Sequence, residues 1–470
     1  MVSQSILSNT VIATSGRLLN ALLGIVTVKL LTNLLGQVGF GDYTLLLSYG
    51  ALVQLVADFG LYLTLTREIA QHPEQEQHFV SHILSLRLTL LLIAFVVGGL
   101  LAGLIPSVAR LDGLWWVVAF ALVFQSLSQL LMGVYQKYGV VWRVLVGDLC
   151  ARLLQIVGFV LIAWWGGTLY HVLLVFLAST LLAFWLHRRL LPIRPAARLV
   201  FTWPVWKQLL RVSWPLGAML VLNAIYFRID ILVLSFFRPV AEVGDYGLAY
   251  RVIENGLFFP AMFGGLLLPR LSSALHKQDL KQVRQLFREG LQLLLLAATF
   301  IVVLLVVIPD SVVLFFANES FIAAAGYLRI LSLALAVMFV GNLFGFTLVA
   351  LRKQKALVFL YGTLVVFNLI GNLLTVPRWG ATAAAWTTVA TEVIAMTIAG
   401  WLVYRAIHFR ISWSFLVRVL AAGAVTVLLL LYLPASFPVW GQLLLGAVVY
   451  GGMSLLLGTL RRRQLILLTT

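Results

Sequence analysis

Residues 290–308 read GLQLLLLAATFIVVLLVVI, a run of 19 residues without a charged side chain. A helix needs about 20 apolar residues to cross a bilayer, so this run predicts a transmembrane helix. The whole chain has the same character: of its 470 residues 62% are hydrophobic and 10% are charged, and the mean hydropathy is +1.04. At about 33 residues for each span with its loop, the chain accommodates about fourteen spans and leaves no room for a soluble catalytic domain. We therefore predict an all-α polytopic membrane protein.

Apolar runs between charged breaks mark the predicted spans. They cover residues 10–35, 40–65, 84–106, 113–135, 145–166, 169–187, 212–237, 245–269, 288–309, 321–351, 356–377, 381–404, 413–433 and 438–460. Basic residues cluster in alternate loops, whereas the intervening loops hold only Arg110, Arg238 and Arg378. Because Lys and Arg are enriched in cytoplasmic loops, both termini are predicted to be cytoplasmic. The net charge of +17 is therefore a topology signal, and no binding of nucleic acid is expected.

The two halves of the sequence carry matching motifs. Gly41-Asp42-Tyr43 recurs as Gly244-Asp245-Tyr246, and Trp165-Gly166 recurs later as Trp379-Gly380. Internal duplication is frequent in transporters, where two helical lobes rock around a central cavity. We predict an N-lobe at residues 1–195, a basic linker at 196–211, a C-lobe at 212–405, and two further helices with a basic C-terminus at 406–470.

Cationic side chains inside the predicted spans are costly and mark functional sites or internal ion pairs. Arg17 and Asn20 lie three residues apart in span one, Arg228 lies in span seven and Arg251 in span eight. Guanidinium groups match phosphate oxygens, which suggests a cationic substrate cavity. The alternatives are neutralisation by a neighbouring acid and, for Arg17, extension of the side chain to the cytoplasmic interface.

Among the carboxylates within the predicted spans, three are candidates for ion coupling or for lining the cavity. Asp230 follows Arg228 in span seven, Glu254 lies one turn from Arg251, and Glu392 lies in span twelve. Desolvation favours reversible protonation of such groups, but pairing with an arginine is an equal alternative for Asp230, and Glu254 with Arg251 is typical of a structural pair. A proton or sodium gradient is therefore one candidate for energy coupling.

The segment at residues 271–289 predicts an amphipathic helix with a basic face on the cytoplasmic surface. Elsewhere the sequence contains none of the zinc-protease, nucleophile-elbow, phosphate-loop or CxxC motifs. Cys150 is the single cysteine, which excludes a disulfide within the chain. We expect no catalytic residues, no metal site and no cofactor beyond a coupling ion, and hence a protein that is not an enzyme.

Three stretches resemble a known family of membrane proteins. LLGQVGFGDYTLLLSYGALVQLVADFGL near the N-terminus, IDILVLSFFRPVAEVGDYGLAYRVIE, and NLIGNLLTVPRWGATAAAWTTVATE resemble the polysaccharide biosynthesis proteins, the Wzx-type oligosaccharide-lipid flippases. This family belongs to the multidrug/oligosaccharidyl-lipid/polysaccharide exporter superfamily. The resemblance covers about residues 1–405.

The resemblance implies alternating access of two six-helix lobes. It implies translocation of an undecaprenyl-diphosphate-linked oligosaccharide, as in O-antigen synthesis, with Arg17 and Arg251 at the diphosphate. It also implies a bacterial cytoplasmic membrane, and glycan polymerase or ligase machinery as partners beside the membrane lipids. The last two predicted spans are similar to those of lipid II flippases, which keeps lipid II as an alternative substrate. A multidrug or cation antiporter of the same superfamily is the other alternative.

Overall fold

The computed structural model describes the backbone of residues 2–140, 142–192, 198–434 and 437–460. Within these ranges it describes every side chain except those at residues 2–15, 17, 18, 21, 112 and 216. Of the described residues, 89% are helical and none lies in a strand. The prediction of an all-α membrane protein is therefore confirmed.

Sixteen α-helices follow one another in the described part of the chain. They are α1 (Val2–Asp58), α2 (Leu61–Gln71), α3 (Glu76–Ala102), α4 (Pro106–Ala109), α5 (Asp112–Lys137), α6 (Trp142–Trp165), α7 (Leu169–Arg189), α8 (Trp203–Phe237), α9 (Val240–Gly256), α10 (Phe258–His276), α11 (Leu280–Val307), α12 (Pro309–Phe316), α13 (Ala324–Ala350), α14 (Gln354–Ile407), α15 (Trp413–Tyr432) and α16 (Val439–Leu456).

Large apolar side chains point away from the protein along the helices. Leu100 is 74% exposed, Leu428 57% and Leu444 67%. Such a surface is unfavourable in water but suits a hydrocarbon environment, in which every backbone polar group must be bonded within the helix. Twelve of the described helical segments are long and apolar enough to cross a membrane, so the chain is a multi-pass membrane protein.

Two of these twelve segments bend at a glycine. Gly36 in α1 has φ 62° and ψ −175°, and Gly380 in α14 has φ 61° and ψ −143°. At Gly36 the backbone lies in a region that is accessible essentially to glycine alone. Each bend lies between two runs that the sequence assigns to separate spans. The count of fourteen spans and the orientation of the termini stay predictions.

Two compact units make up the chain, Met1–Gly244 and Asp245–Thr470. In the first unit, α2 packs through Leu61, Leu65 and Ile69 on apolar side chains of α3, α5 and α8. In the second unit, α13 lies against α10, α11 and α14. The lobe and linker boundaries that the repeat suggests stay a prediction.

The predicted surface helix at residues 271–289 is wrong as a single element. The chain breaks between α10 and α11, where Gln278 adopts a left-handed conformation with φ 56°. The break is stable because the Asp279 carboxylate accepts a hydrogen bond from the Gln282 backbone N–H at 2.9 Å, an N-cap that starts α11. The basic residues of this segment therefore belong to two helix ends and the turn between them.

Candidate functional site

A chain of polar side chains crosses three helices of the first unit. The Nε of Arg152 on α6 donates to the Asn20 Oδ1 on α1 at 3.3 Å, and its Nη1 donates to the Gln155 Oε1 at 3.0 Å. Gln155 Nε2 in turn donates to the Ser179 Oγ on α7 at 2.8 Å. Arg152 is half-buried, so its guanidinium lies between these helices and remains accessible to a ligand. This arrangement, the Asn20–Arg152 network, presents a cation and amide groups at predicted membrane depth.

Asn20 was selected from the sequence with Arg17, three residues earlier on α1. The Arg17 side chain lies outside the described residues, so its role in the cavity stays a prediction. Arg152 is the cation that the structure places beside Asn20. From the sequence it is recognisable only as one of several polar residues in predicted span five, because the contact partner is 132 positions away.

The polar residues of α8 differ in burial. Asp230 is 1% exposed, whereas Arg228, two positions earlier, is half-buried. The sequence places these side chains on different sides of the helix, since two residues correspond to a rotation of about 200°. Their assignment to a substrate cavity and to ion coupling stays a prediction.

In the second unit, Arg251 and Glu254 lie one turn apart on α9. Arg251 Nη1 is 3.7 Å from Glu254 Oε2, and the two side chains are 31% and 22% exposed. A separation of 3.7 Å is too long for a hydrogen bond, so the two charges are near each other without forming a tight bidentate pair. The guanidinium retains donor positions for an anionic ligand.

Glu392 lies on α14 in a buried polar region. It is 7% exposed, and Thr388 and Thr391, one turn or less away, are 4% and 0% exposed. Both threonine hydroxyls donate to helix carbonyls one turn earlier, at 3.0 and 2.6 Å. These hydroxyls bond within the helix, and the Thr388 Oγ1 also lies 3.4 Å from the Tyr246 hydroxyl. Glu392 is the carboxylate of this polar region.

The structure also contains a buried ion pair that the sequence interpretation did not identify. Arg87 on α3 is 0% exposed, and its Nη1 lies 2.9 Å from the Asp58 Oδ1 at the end of α1. Its Nε donates to the Ser126 Oγ at 2.7 Å and its Nη2 to the Gln129 Oε1 at 3.2 Å. In the sequence, the feature that could have indicated this pair is the charge of Arg87 inside predicted span three, residues 84–106. Because three protein partners engage the guanidinium and solvent does not reach it, this pair has a structural role.

Histidines and acids do not assemble into a metal site in the described ranges. Among these residues, no group of three or more His, Cys, Asp or Glu is arranged to hold a metal ion. His78 and His82 on α3 lie near each other, with ring centroids 4.2 Å apart. Two histidines are fewer than the three or four protein ligands that zinc sites ordinarily have.

The bent membrane-spanning helices and the buried polar groups define a polytopic helical membrane protein with polar side chains in its interior. Residues 6–275, more than half of the chain, match the family described as "Polysaccharide biosynthesis protein", and residues 215–374 match the MatE family. The chain belongs to the polysaccharide biosynthesis protein family. Its membership of the exporter superfamily is thereby confirmed, and the chain is a membrane flippase or transporter.

Solved structures share this fold at low sequence identity. A structure described as "Lipid II flippase MurJ, inward closed conformation" matches with a TM-score of 0.79 and 15% identity, covering 94% of this chain and 98% of that one. An inward-facing multidrug resistance MATE family transporter matches at 0.67 and 14%, covering 83% and 94%. A mutant of the Vibrio cholerae MATE transporter VcmN matches at 0.55 and 17%, covering 85% and 94%. No curated protein matches the chain.

Proposed function

We propose that the protein translocates an undecaprenyl-diphosphate-linked oligosaccharide from the cytoplasmic to the outer leaflet of the bacterial inner membrane. The observation that carries this proposal is the Asn20–Arg152 network, a half-buried guanidinium in a chain of which only 10% is charged. A cation at membrane depth is costly unless it has a partner or a function. Two of its neighbours, Asn20 and Gln155, are neutral amides that can add hydrogen bonds to a diphosphate bound at the guanidinium.

Alternating access supplies the mechanism. One lobe takes the diphosphate from the cytoplasmic side, the lobes rock, and the headgroup is released on the other side. Arg17, Arg228 and Arg251 are, like Arg152 and Asn20, proposed to contact the diphosphate during the transport cycle, because guanidinium groups make paired hydrogen bonds to phosphate oxygens. Asp230, Glu254 or Glu392 would couple this cycle to a proton or sodium gradient, and glycan polymerase or ligase machinery would consume the product.

The test is lipid analysis of a strain depleted of this protein. We expect a single diphosphate-linked glycan to accumulate on the inner leaflet, and wild-type protein to relieve it. In the depleted strain, the export rate with Arg152→Ala should be at least roughly tenfold lower than with the wild-type protein, because removing a charge-assisted contact costs about 1.4 kcal/mol or more. The matched control is Arg410→Ala, which removes an exposed guanidinium from the loop between α14 and α15 and should export normally.

Other outcomes would assign a different substrate or reject the proposal. Accumulation of lipid II instead would make the peptidoglycan precursor the substrate, as the last two helices suggest. Normal lipid composition with altered sensitivity to cationic drugs would contradict a flippase and favour an antiporter, in line with the MatE match at residues 215–374.

A further inference from the structure

An open polar cleft lies in the second unit where two helices end side by side. It is formed by the last turn of α10, the last turn of α13 and the turns that follow them, and it encloses about 610 Å³. The positive-inside pattern assigns this end of the helices to the cytoplasmic side. None of the described residues that line the cleft is a carboxylate, so its charge comes from Arg352 and, when it is protonated, His276. The neutral polar lining consists of Ser272, Gln278 and Gln354.

Basic residues at a helix C-terminus often serve only to satisfy the last carbonyl groups. Here the backbone already does so: the Asp279 N–H donates to the Ala274 carbonyl at 3.0 Å, and the Lys353 N–H donates to the Leu348 carbonyl at 2.9 Å. The Arg352 and His276 side chains are exposed, and within the described part of the chain neither side chain makes a hydrogen bond or an ion pair. Their donor groups are therefore available to a ligand.

The corresponding turn of the first unit is arranged differently. There Glu76 pairs with Lys137 and accepts a hydrogen bond from the Tyr138 hydroxyl at 2.9 Å. The repeat offset of 203 residues places Asp279 at the position of Glu76. The Asp279 carboxylate instead caps α11 through the Gln282 N–H. Arg352 and His276 therefore lack, among the described residues, an acid partner of the kind that Glu76 provides to Lys137 in the first unit.

We propose that this cleft binds the phosphate headgroup of an anionic phospholipid from the cytoplasmic leaflet. The Arg352 guanidinium supplies paired donors for phosphate oxygens, and Ser272 and Gln354 supply neutral ones. One wall of the cleft is apolar, which favours contact with the glycerol and upper acyl carbons of a lipid over binding of a free ion. That wall is formed by Leu275, Val349 and Leu351. Neighbouring exposed Lys277 and Lys353 add attraction for an anionic surface. The site is separate from the residues assigned to the transported substrate.

The turn geometry allows a clean pair of variants. Arg352 and Gln278 both line the cleft, and both have left-handed backbones, with φ 58° and 56°. Glycine adopts this conformation more easily than either residue, so Arg352→Gly and Gln278→Gly both favour the native turn. Only the first removes a charge.

Binding of short-chain phosphatidic acid to the purified full-length protein in neutral detergent would test the proposal. We expect Arg352→Gly to weaken binding roughly tenfold or more, as loss of a charge-assisted contact requires, and Gln278→Gly, which removes a neutral lining residue, to weaken it by a smaller factor. His276→Ala should weaken binding by a smaller factor. Phosphatidylcholine of the same chain length should bind much more weakly than phosphatidic acid.

Three results would overturn the proposal. Unchanged binding by Arg352→Gly would remove the cleft as the site. Equal binding of phosphatidylcholine would show that acyl chains alone are recognised. Competition by inorganic phosphate at the affinity of the lipid would make this a site for a free anion. Because none of these measurements involves transport, failure here leaves the proposed flippase activity untouched, and failure of that activity leaves this site standing.

Discussion

The guanidinium of Arg87 shows how a charge is accommodated inside this protein. It is wholly enclosed, and Asp58, Ser126 and Gln129 together bind its nitrogens. Arg152, by contrast, is half-buried and donates to the neutral amides of Asn20 and Gln155. A fully enclosed arginine that is paired with a carboxylate stabilises the fold, whereas a partly exposed arginine can also reach a ligand.

We expect Asp58→Asn to destabilise the protein by about 3–5 kcal/mol, because it leaves the Arg87 charge buried without a counter-ion. The thermal unfolding midpoint in detergent measures this effect. Glu242→Gln is the comparison: it removes the charge from the 2.8 Å pair with Arg238, whose side chain is 35% exposed, and should cost less, about 1 kcal/mol or less.

A second variant makes this prediction specific to the charge. Asp58→Asn combined with Arg87→Gln removes both charges and should recover part of the lost stability. If Asp58→Asn lowers the midpoint no more than Glu242→Gln does, then the buried pair does not stabilise the fold as argued.

Close packing at the level of elements depends on the repeated glycines. Gly41 on α1 and Gly244 on α9 approach each other so closely that a Cβ at Gly41 would collide with the Val240 carbonyl oxygen. A Cβ at Gly244 would likewise collide with the Gln37 carbonyl oxygen. Backbone atoms cannot rotate away as a flexible side chain can. The glycine of the GDY motif is therefore required in both copies.

Gly41→Ala should lower stability by about 1–3 kcal/mol, the usual cost of overpacking, and Gly244→Ala should do the same. Gly265→Ala on α10 is the control, because a Cβ there has no atom within 4 Å. It should leave the unfolding midpoint unchanged or raise it, since alanine favours a helix over glycine. Equal midpoints for Gly41→Ala and Gly265→Ala would contradict this account of the helix contact.

Element type was predictable from sequence, but the ends of several elements were not. Long apolar runs gave the helices, since only length and hydropathy are needed. The break at Gln278 was missed because the basic and apolar periodicity continues across it, and only the Asp279 cap ends one helix and begins the next. The bend at Gly380 coincides with the repeated Trp-Gly pair, whose other glycine, Gly166, also has a positive φ of 69°.

The candidate site was less predictable than the fold. The sequence predicts Asn20 as a site residue because it lies three residues from Arg17 on the same helix. Its partner Arg152 comes from a distant span, and such pairings are not visible in a single sequence. Arg87 was overlooked because one charge in an otherwise apolar span does not change the hydropathy average. Local pattern therefore identifies which helices carry polar groups, whereas packing decides which of those groups meet.

The orientation of the whole molecule in the membrane is predicted from the distribution of charge. The basic turns at the ends of α10 and α13 and the acidic turn at Glu319 belong to opposite sets of loops in the sequence. Lys and Arg are retained on the cytoplasmic side during insertion, so the two sets should face opposite sides. This orientation also decides whether the cleft at Arg352 meets the cytoplasmic leaflet.

Cysteine labelling tests the orientation directly. Cys150 is the only cysteine, so Cys150→Ser gives a background without thiols, into which Lys281→Cys and Glu319→Cys are introduced separately. Both positions are exposed. We expect a membrane-impermeant maleimide to label the Glu319→Cys protein in intact spheroplasts, and the Lys281→Cys protein only after the membrane is opened. The reverse pattern would invert the topology and move the anionic-lipid cleft to the outer leaflet. Labelling of both proteins in intact spheroplasts would place the two positions on the same side of the membrane and contradict the single span predicted between them.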